Sequence, residues 1–440
     1  MPRMTTELPL STEQILATFH TYGAPKARWL VGGEFERILL RPDGQAVTYD
    51  SEYGIRWILE SLAAGDPSWV VKREGDKPIA LFRANGANIT LEPGGQLELS
   101  GAPYRTLAEL AAELDAHRDT LLALCEGRPL QPLAVGLNPL VRVEDIGWMP
   151  KGRYRIMREY LPGDLAHYMM KATASVQCNY DYADEEDCAR KVQLAAGLAP
   201  LTTALFANSP LYAGKDTGYV SYRGHIWTRT DPDRTGFPPG LRDDYTHERW
   251  VNYLLDVPMM FYKAGARWLP AEGRSFRTFM EQGIDGVRPG WDDWELHMTS
   301  VFPEVRIKRT IEVRGADCVP VPLAVAFCAL FTGLFYDSSA LEQGLALTAE
   351  LTAGSDRDDR FEAACRDGLR ATIAGRSLAA WGQDLIALAS DGLARWEPGA
   401  EKMLEPIAAV AASGKSPGDA IREAWRAGAD PAALIRYLRY

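Results

Sequence analysis

Thr173-Ala-Ser-Val-Gln-Cys-Asn-Tyr-Asp-Tyr182 alternates without a break. Thr173, Ser175, Gln177, Asn179 and Asp181 fall on one side, and Ala174, Val176, Cys178, Tyr180 and Tyr182 on the other. Strict period-two alternation marks a strand with one face packed on a core and one face polar. Outward from this stretch, Glu304 to Arg314 repeats the pattern, with Arg306, Lys308, Thr310, Glu312 and Arg314 opposite Val305, Ile307, Ile311 and Val313. Between Trp29 and Leu40, Glu34 and Glu36 share a face. After the Pro93-Gly94-Gly95 turn, Gln96, Glu98 and Ser100 oppose Leu97 and Leu99. Long, partly helical connections separate these strands and place helices over the apolar face, an α+β arrangement.

Helical spacing covers Thr106 to Cys125, Lys191 to Phe206 and Ala379 to Trp396, and Ser11 to Gln14 has the form of a capping box. After about residue 337 the chain reads as nearly all helix. No linker, repeat or charge block divides the 440 residues, so a single large domain spanning 1–440 is expected. The apolar stretch Val319 to Tyr336 holds Pro320 and Pro322 and is shorter than the roughly 20 residues of a membrane span, so it reads as a core helix. The first residues lack the apolar run of a signal peptide. Six scattered cysteines form no CxxC pair, which points to a reducing cytosol and a cytoplasmic protein. A net charge of −11 without a basic stripe argues against nucleic acid as a partner, and no membrane partner is expected.

The polar faces carry unusual chemistry. Solvated strands favour Thr and Lys, and like charges stacked on one face destabilise a sheet. Yet Glu34 and Glu36 stand two residues apart, roughly 7 Å by strand rise, and Glu98, Glu312 and Glu92 add further carboxylates. Cations between them would make the set tolerable, and hard oxygen ligands suit Mg²⁺ with substrate phosphates. Arg306, Lys308 and Arg314 suit phosphate oxygens. No GxxxxGK[ST] loop is present, Ser413-Gly-Lys-Ser416 lacking the upstream glycine, and no GxGxxG follows a strand. No GxSxG elbow occurs and the six histidines are scattered, so no covalent nucleophile is expected.

These segments resemble glutamate–cysteine ligase of the plant and proteobacterial type. The resemblance rests on Leu91 to Pro103, Met149-Pro-Lys-Gly-Arg-Tyr154, Thr173 to Gln177, Ala204-Leu-Phe-Ala-Asn-Ser-Pro210, Asp256-Val-Pro-Met259, Phe302 to Arg309 and Ile311-Glu-Val-Arg-Gly-Ala-Asp317. It implies a curved antiparallel sheet funnel of glutamine-synthetase-like type, helices on its outer face and a mostly helical C-terminal part. By the same resemblance Glu34, Glu36, Glu92, Glu98, Gln177 and Glu312 are metal ligands for Mg²⁺, about two or three ions. Arg153, Tyr154, Thr173, Arg223 and Trp227 would bind glutamate, and Arg306, Lys308 and Arg314 the phosphates of ATP. The implied reaction couples the γ-carboxylate of L-glutamate to the amine of L-cysteine through γ-glutamyl phosphate, with ATP as co-substrate, toward glutathione or a related thiol. The first strand, Gly32-Gly-Glu-Phe-Glu-Arg37, lacks the Thr and His of plant relatives. Ala264 to Phe279 contains no Cys, so no disulfide switch is expected, and a monomer is preferred to a homodimer. The alternatives are a related ligase coupling glutamate to a different amine, and a non-catalytic homologue. Retention of all the implied ligands speaks against the latter.

Overall fold

The alternating segments come together in one sheet. The computed structural model describes residues 10–242, 244–354 and 356–440; the reading of residues 1–9 lies outside them. Among the described residues the sheet has nine strands: β1 (Val31–Leu40), β2 (Val70–Glu74), β3 (Lys77–Phe82), β4 (Asn88–Leu91), β5 (Leu97–Ser100), β6 (Gln131–Leu133), β7 (Ser175–Tyr180), β8 (Val305–Ile307) and β9 (Ile311–Asp317). Their order is β8-β9-β7-β1-β5-β4-β3-β2, with β6 on the end of β1, and every neighbouring pair is antiparallel. β1 is therefore central, and its two glutamates are flanked by β5 and β7.

Glu304 to Arg314 is not one strand. It is a hairpin in which Arg306 faces Glu312 and Val305 faces Val313, turning through residues 308–310. Pairing that joins residues of equal parity keeps each side chain on the face that the linear alternation assigned to it, so the reversal left no mark in the pattern. Further along, the pairing of β9 with β7 slips between Val313 and Ala316, a bulge that sets Arg314 and Gly315 beside Gln177.

Helices Leu107–Cys125, Glu185–Leu205 and Val321–Tyr336 pack on the sheet through its apolar side. Tyr180 shows the coupling: its ring is buried and its hydroxyl donates to the Cys328 carbonyl at 2.9 Å. Helix Val321–Tyr336 is buried along nearly its whole length, each large apolar side chain contributing about 1.5–3 kcal/mol. Among the described residues no single helix is long and apolar enough to cross a membrane. Ser11 and Thr106 both close capping boxes, with Gln14 and Glu109. Beyond Asp337 helices dominate, interrupted by a short ribbon pairing Thr372–Ile373 with Arg376–Ser377.

Candidate active site

Register brings the carboxylates together. Glu36 pairs directly with Glu98 across β1 and β5, and Glu34 with Gln177 across β1 and β7. Glu92 enters from the end of β4, where Gly95 at φ 94° turns the chain back and its N–H closes on the Glu92 carbonyl at 2.9 Å. These five side chains line a cavity of about 490 Å³ together with Arg153, Tyr154, Arg306, Lys308 and Arg314.

The partners of the central carboxylates are neutral. Glu34 accepts from Asn179 Nδ2 at 2.8 Å, Glu36 from the Ser175 N–H at 2.6 Å and Gln177 Nε2 at 3.3 Å, and Glu98 from Thr90 Oγ1 at 2.6 Å. Burial, then repulsion from Glu312 and Glu98, pushes Glu34 up to about 7. Burial, then Glu98 and Glu92, pushes Glu36 up to about 8, and Glu98 is raised by burial and Glu92. Glu312 is the opposite case. It is 0% exposed and does not line the cavity. Arg306 forks onto it with two bonds of 2.8 Å, Lys308 Nζ lies 3.3 Å away, and Arg314 completes the cage. Burial alone would raise its pKa; the three cations outweigh that and hold it well below the usual carboxylate range.

Helix Gly152–Tyr160 delivers Arg153 and Tyr154. Tyr154 is buried with its hydroxyl on the Leu91 carbonyl, and Arg153 Nε is buried without a hydrogen-bond partner. Arg223 and Trp227 ride on helix Tyr222–Thr228 and do not line the cavity; they stand against residues that do. Arg223 Nη2 donates to the Arg314 carbonyl at 3.1 Å, and Trp227 meets Phe302 edge-on at 6.0 Å. Arg223 Nε and Trp227 Nε1 are both buried donors without a partner. Thr173 is not brought to the cavity. Its hydroxyl bonds back to the Met169 carbonyl at 2.7 Å, closing helix Ala166–Ala172.

Sequence reasoning missed Lys151, although it lies inside the Met149–Tyr154 stretch. Its Nζ donates to the Leu91 carbonyl at 2.7 Å, and burial, then Arg153, pushes its pKa down to about 8. Also missed was an apolar wall of Met157, Met260, Phe261 and Phe302; scattered apolar residues carry no spacing signal. Ser413 to Ser416 does ordinary work, Gly414 ending one helix in the left-handed region and Ser416 capping the next.

The sequence model of glutamate-cysteine ligase family 2 matches residues 30–434. The chain belongs to that family. Chloroplastic glutamate–cysteine ligases of Brassica juncea and Arabidopsis thaliana are each 38% identical to it, over 96% of this chain and 83% and 82% of theirs. A crystal structure of glutamate–cysteine ligase from Francisella tularensis in complex with AMP is similar at a TM-score of 0.54 and 12% identity, covering 93% of this chain and 87% of that one. A bifunctional glutathione synthetase from Pasteurella multocida gives 0.52 at 13% identity, covering 97% of this chain; the chain spans about half, 52%, of that protein. At those identities the likeness shows the fold, and the expected α+β class built on a large antiparallel sheet is borne out. So is the expected ligase of glutamate and cysteine, with ATP and two amino acids as small-molecule substrates.

The cytoplasmic expectation is corrected. The ligases of Brassica juncea, Arabidopsis thaliana and Solanum lycopersicum to which the chain is similar are named as chloroplastic. All six cysteines here are free and buried, which identifies no compartment.

Proposed function

We propose that this cavity is where the γ-carboxylate of L-glutamate is activated by ATP and coupled to the amine of L-cysteine, with residues 1–440 acting as one catalytic domain. The observation that carries the reading is the set of carboxylates, Glu34, Glu36 and Glu98, crowded on one sheet face with no cation bonded to them, beside a wall of cations. Among the described residues no three acidic, His or Cys side chains form a ready-made metal cage. Mg²⁺ does not require one, since it binds one or two carboxylates and completes its shell with water and phosphate oxygens. The all-oxygen donor set, raised in pKa by burial and mutual repulsion, fits such an ion. Glu34, Glu36, Glu92, Glu98 and Gln177 would hold it, and Glu312 could join only by releasing one of its three cations. When bound, the metal supplies charge neutralisation to the phosphates.

The chain's own groups do the rest by positioning and electrostatics. Lys308, with a side chain 28% exposed, is the cation with most freedom to reach a phosphate. The guanidinium of Arg306 is occupied by Glu312 and by the Val301 carbonyl at 3.1 Å, so its part is to hold the wall in place. Arg153 and Arg223, each with a buried unpartnered Nε, and the Trp227 indole N–H offer donors for the α-carboxylate of glutamate. The terminal phosphoryl group passes to the γ-carboxylate, giving γ-glutamyl phosphate. The free amine of cysteine then attacks the acyl carbon, the bond to the phosphate oxygen breaks, and phosphate leaves with the proton that the nitrogen gives up. The wall of Met157, Met260, Phe261 and Phe302 suits a small thiol-bearing acceptor. A single chain supplies every group this reading needs, which supports a monomer as the working unit.

The test is ADP release with Mg²⁺, ATP and L-glutamate, with and without L-cysteine and a panel of other amines. Release that depends on both glutamate and cysteine is expected. Release with another amine but not cysteine would contradict the acceptor assignment, and none with any amine would contradict the catalytic reading.

A further inference from the structure

Two stretches that carried the family resemblance, Ala204–Pro210 and Ile311–Asp317, contain residues the proposed chemistry leaves unused: Asn208, Ser209 and Asp317. They meet in one buried cluster beneath the cavity wall. Asp317 is 1% exposed, and Asn208, Ser209 and Ser221 are equally sequestered. Its Oδ2 accepts the Asn208 N–H at 2.7 Å and the Ser209 hydroxyl at 2.6 Å. Its Oδ1 accepts the Ser221 hydroxyl at 2.9 Å and lies 3.9 Å from Arg223 Nη1.

Each hydroxyl passes the contact on to one helix. Ser209 Oγ accepts the Arg223 N–H at 3.0 Å, and Ser221 Oγ accepts the Gly224 N–H at 3.1 Å as the cap of helix Tyr222–Thr228. That helix carries both Arg223 and Trp227. Asp317 is itself the last residue of β9, the strand that bears Glu312 and Arg314. Asn208 anchors the cluster from the other side through the Ala134 and Cys318 carbonyls, at 2.9 and 2.7 Å. Only glycine fits at position 136, where a Cβ would stand 2.6 Å from that of Asp317. A buried carboxylate carries a desolvation cost that packing alone does not call for. Here its acceptors join the end of the phosphate-side strand to the start of the helix with the two unpartnered donors.

We propose that Asp317 is a positioning residue that sets the seat of helix Tyr222–Thr228 and so aims Arg223 and Trp227 at the α-carboxylate of glutamate. The inference rests on the reading of Arg223 as a glutamate-binding group. It touches no substrate itself; it acts through Ser209 and Ser221.

The experiment compares Asp317→Asn, Ser221→Ala and Arg223→Ala in the full-length protein, each checked for folding by circular dichroism. Asp317→Asn keeps the shape and removes the charge, and is expected to raise KM for glutamate about tenfold, with KM for ATP and kcat within about twofold. Ser221→Ala removes one link and is expected to raise the same KM about threefold; it decides the question should Asp317→Asn not fold. The double variant Asp317→Asn/Arg223→Ala should raise the glutamate KM by clearly less than the product of the two single effects, because the two residues act through one helix. Equal rises in the glutamate and ATP KM values would overturn the proposal, because a general loosening moves both. An unmoved glutamate KM in folded Asp317→Asn and Ser221→Ala, with a raised one in Arg223→Ala, would overturn the positioning role alone. An unmoved value in Arg223→Ala would overturn the glutamate reading and this inference with it.

Discussion

Glu312 and Glu36 are the same residue on the same face of one sheet, and they live in opposite electrostatic worlds. Three cations surround Glu312, and it stays ionised in full burial. Glu36 is bonded by neutral donors only; burial and the neighbouring Glu98 and Glu92 push it up to about 8, outweighing the pull of Arg223 and Arg314, which are near but not bonded to it. Residue type therefore does not assign a role on this face; the neighbours do. A carboxylate already matched by built-in cations is part of the wall. Carboxylates crowded together without a cation lower the stability of the empty fold, and are worth keeping where a positive partner arrives from solution.

The difference between the two can be broken experimentally, the largest effects first. Glu36→Gln or Glu98→Ala should lower kcat/KM by about 10²–10³-fold, while the melting temperature stays level or rises as like charges are removed. Undiminished turnover in either would detach these side chains from the chemistry. Glu312→Ala should do the reverse to stability, costing about 3–5 kcal/mol in denaturant titration because the buried Arg306 and Arg314 lose the carboxylate they are bonded to. A loss below about 1 kcal/mol would show that the cage is not structural. Mg²⁺ with ATP should raise the melting temperature of the wild type by several degrees and that of Glu36→Gln by much less, since only ligand bound to the native state stabilises it. Thr173→Val, which removes the hydroxyl and keeps the shape, should leave the glutamate KM within about twofold, that hydroxyl being committed to the Met169 carbonyl. A larger rise would return Thr173 to the site.

The face on which each strand residue lies was legible because alternation is a local, period-two property. Glu34, Glu36, Glu98 and Gln177 were found that way, and the sheet puts them side by side. Pairing is not local, and it decided everything finer. The hairpin at residues 308–310 preserves parity, so nothing in the linear pattern separated β8 from β9 or warned that Arg306 would face Glu312. Thr173 has the right parity for the polar face but closes a helix instead, its hydroxyl taken by a carbonyl four residues back. Lys151 sat in plain view within Met149–Tyr154, and only its seat over the Leu91 carbonyl shows that it belongs to the cavity. Asp317 lay in a stretch that carried the resemblance, yet nothing local assigned it a role, because its partners come from two segments about a hundred residues away in the chain.

The central claim is that the carboxylates of β1 and β5 with no cation bonded to them are the ones that hold a divalent metal. Titration of Mn²⁺ followed by electron paramagnetic resonance, in the presence of ATP, addresses it directly in the wild type, Glu36→Gln and Glu98→Ala. The wild type is expected to bind Mn²⁺ saturably, and each variant to lose affinity by about 10–100-fold or to lose a site. Unchanged binding in both folded variants would contradict the claim and move the metal elsewhere in the molecule.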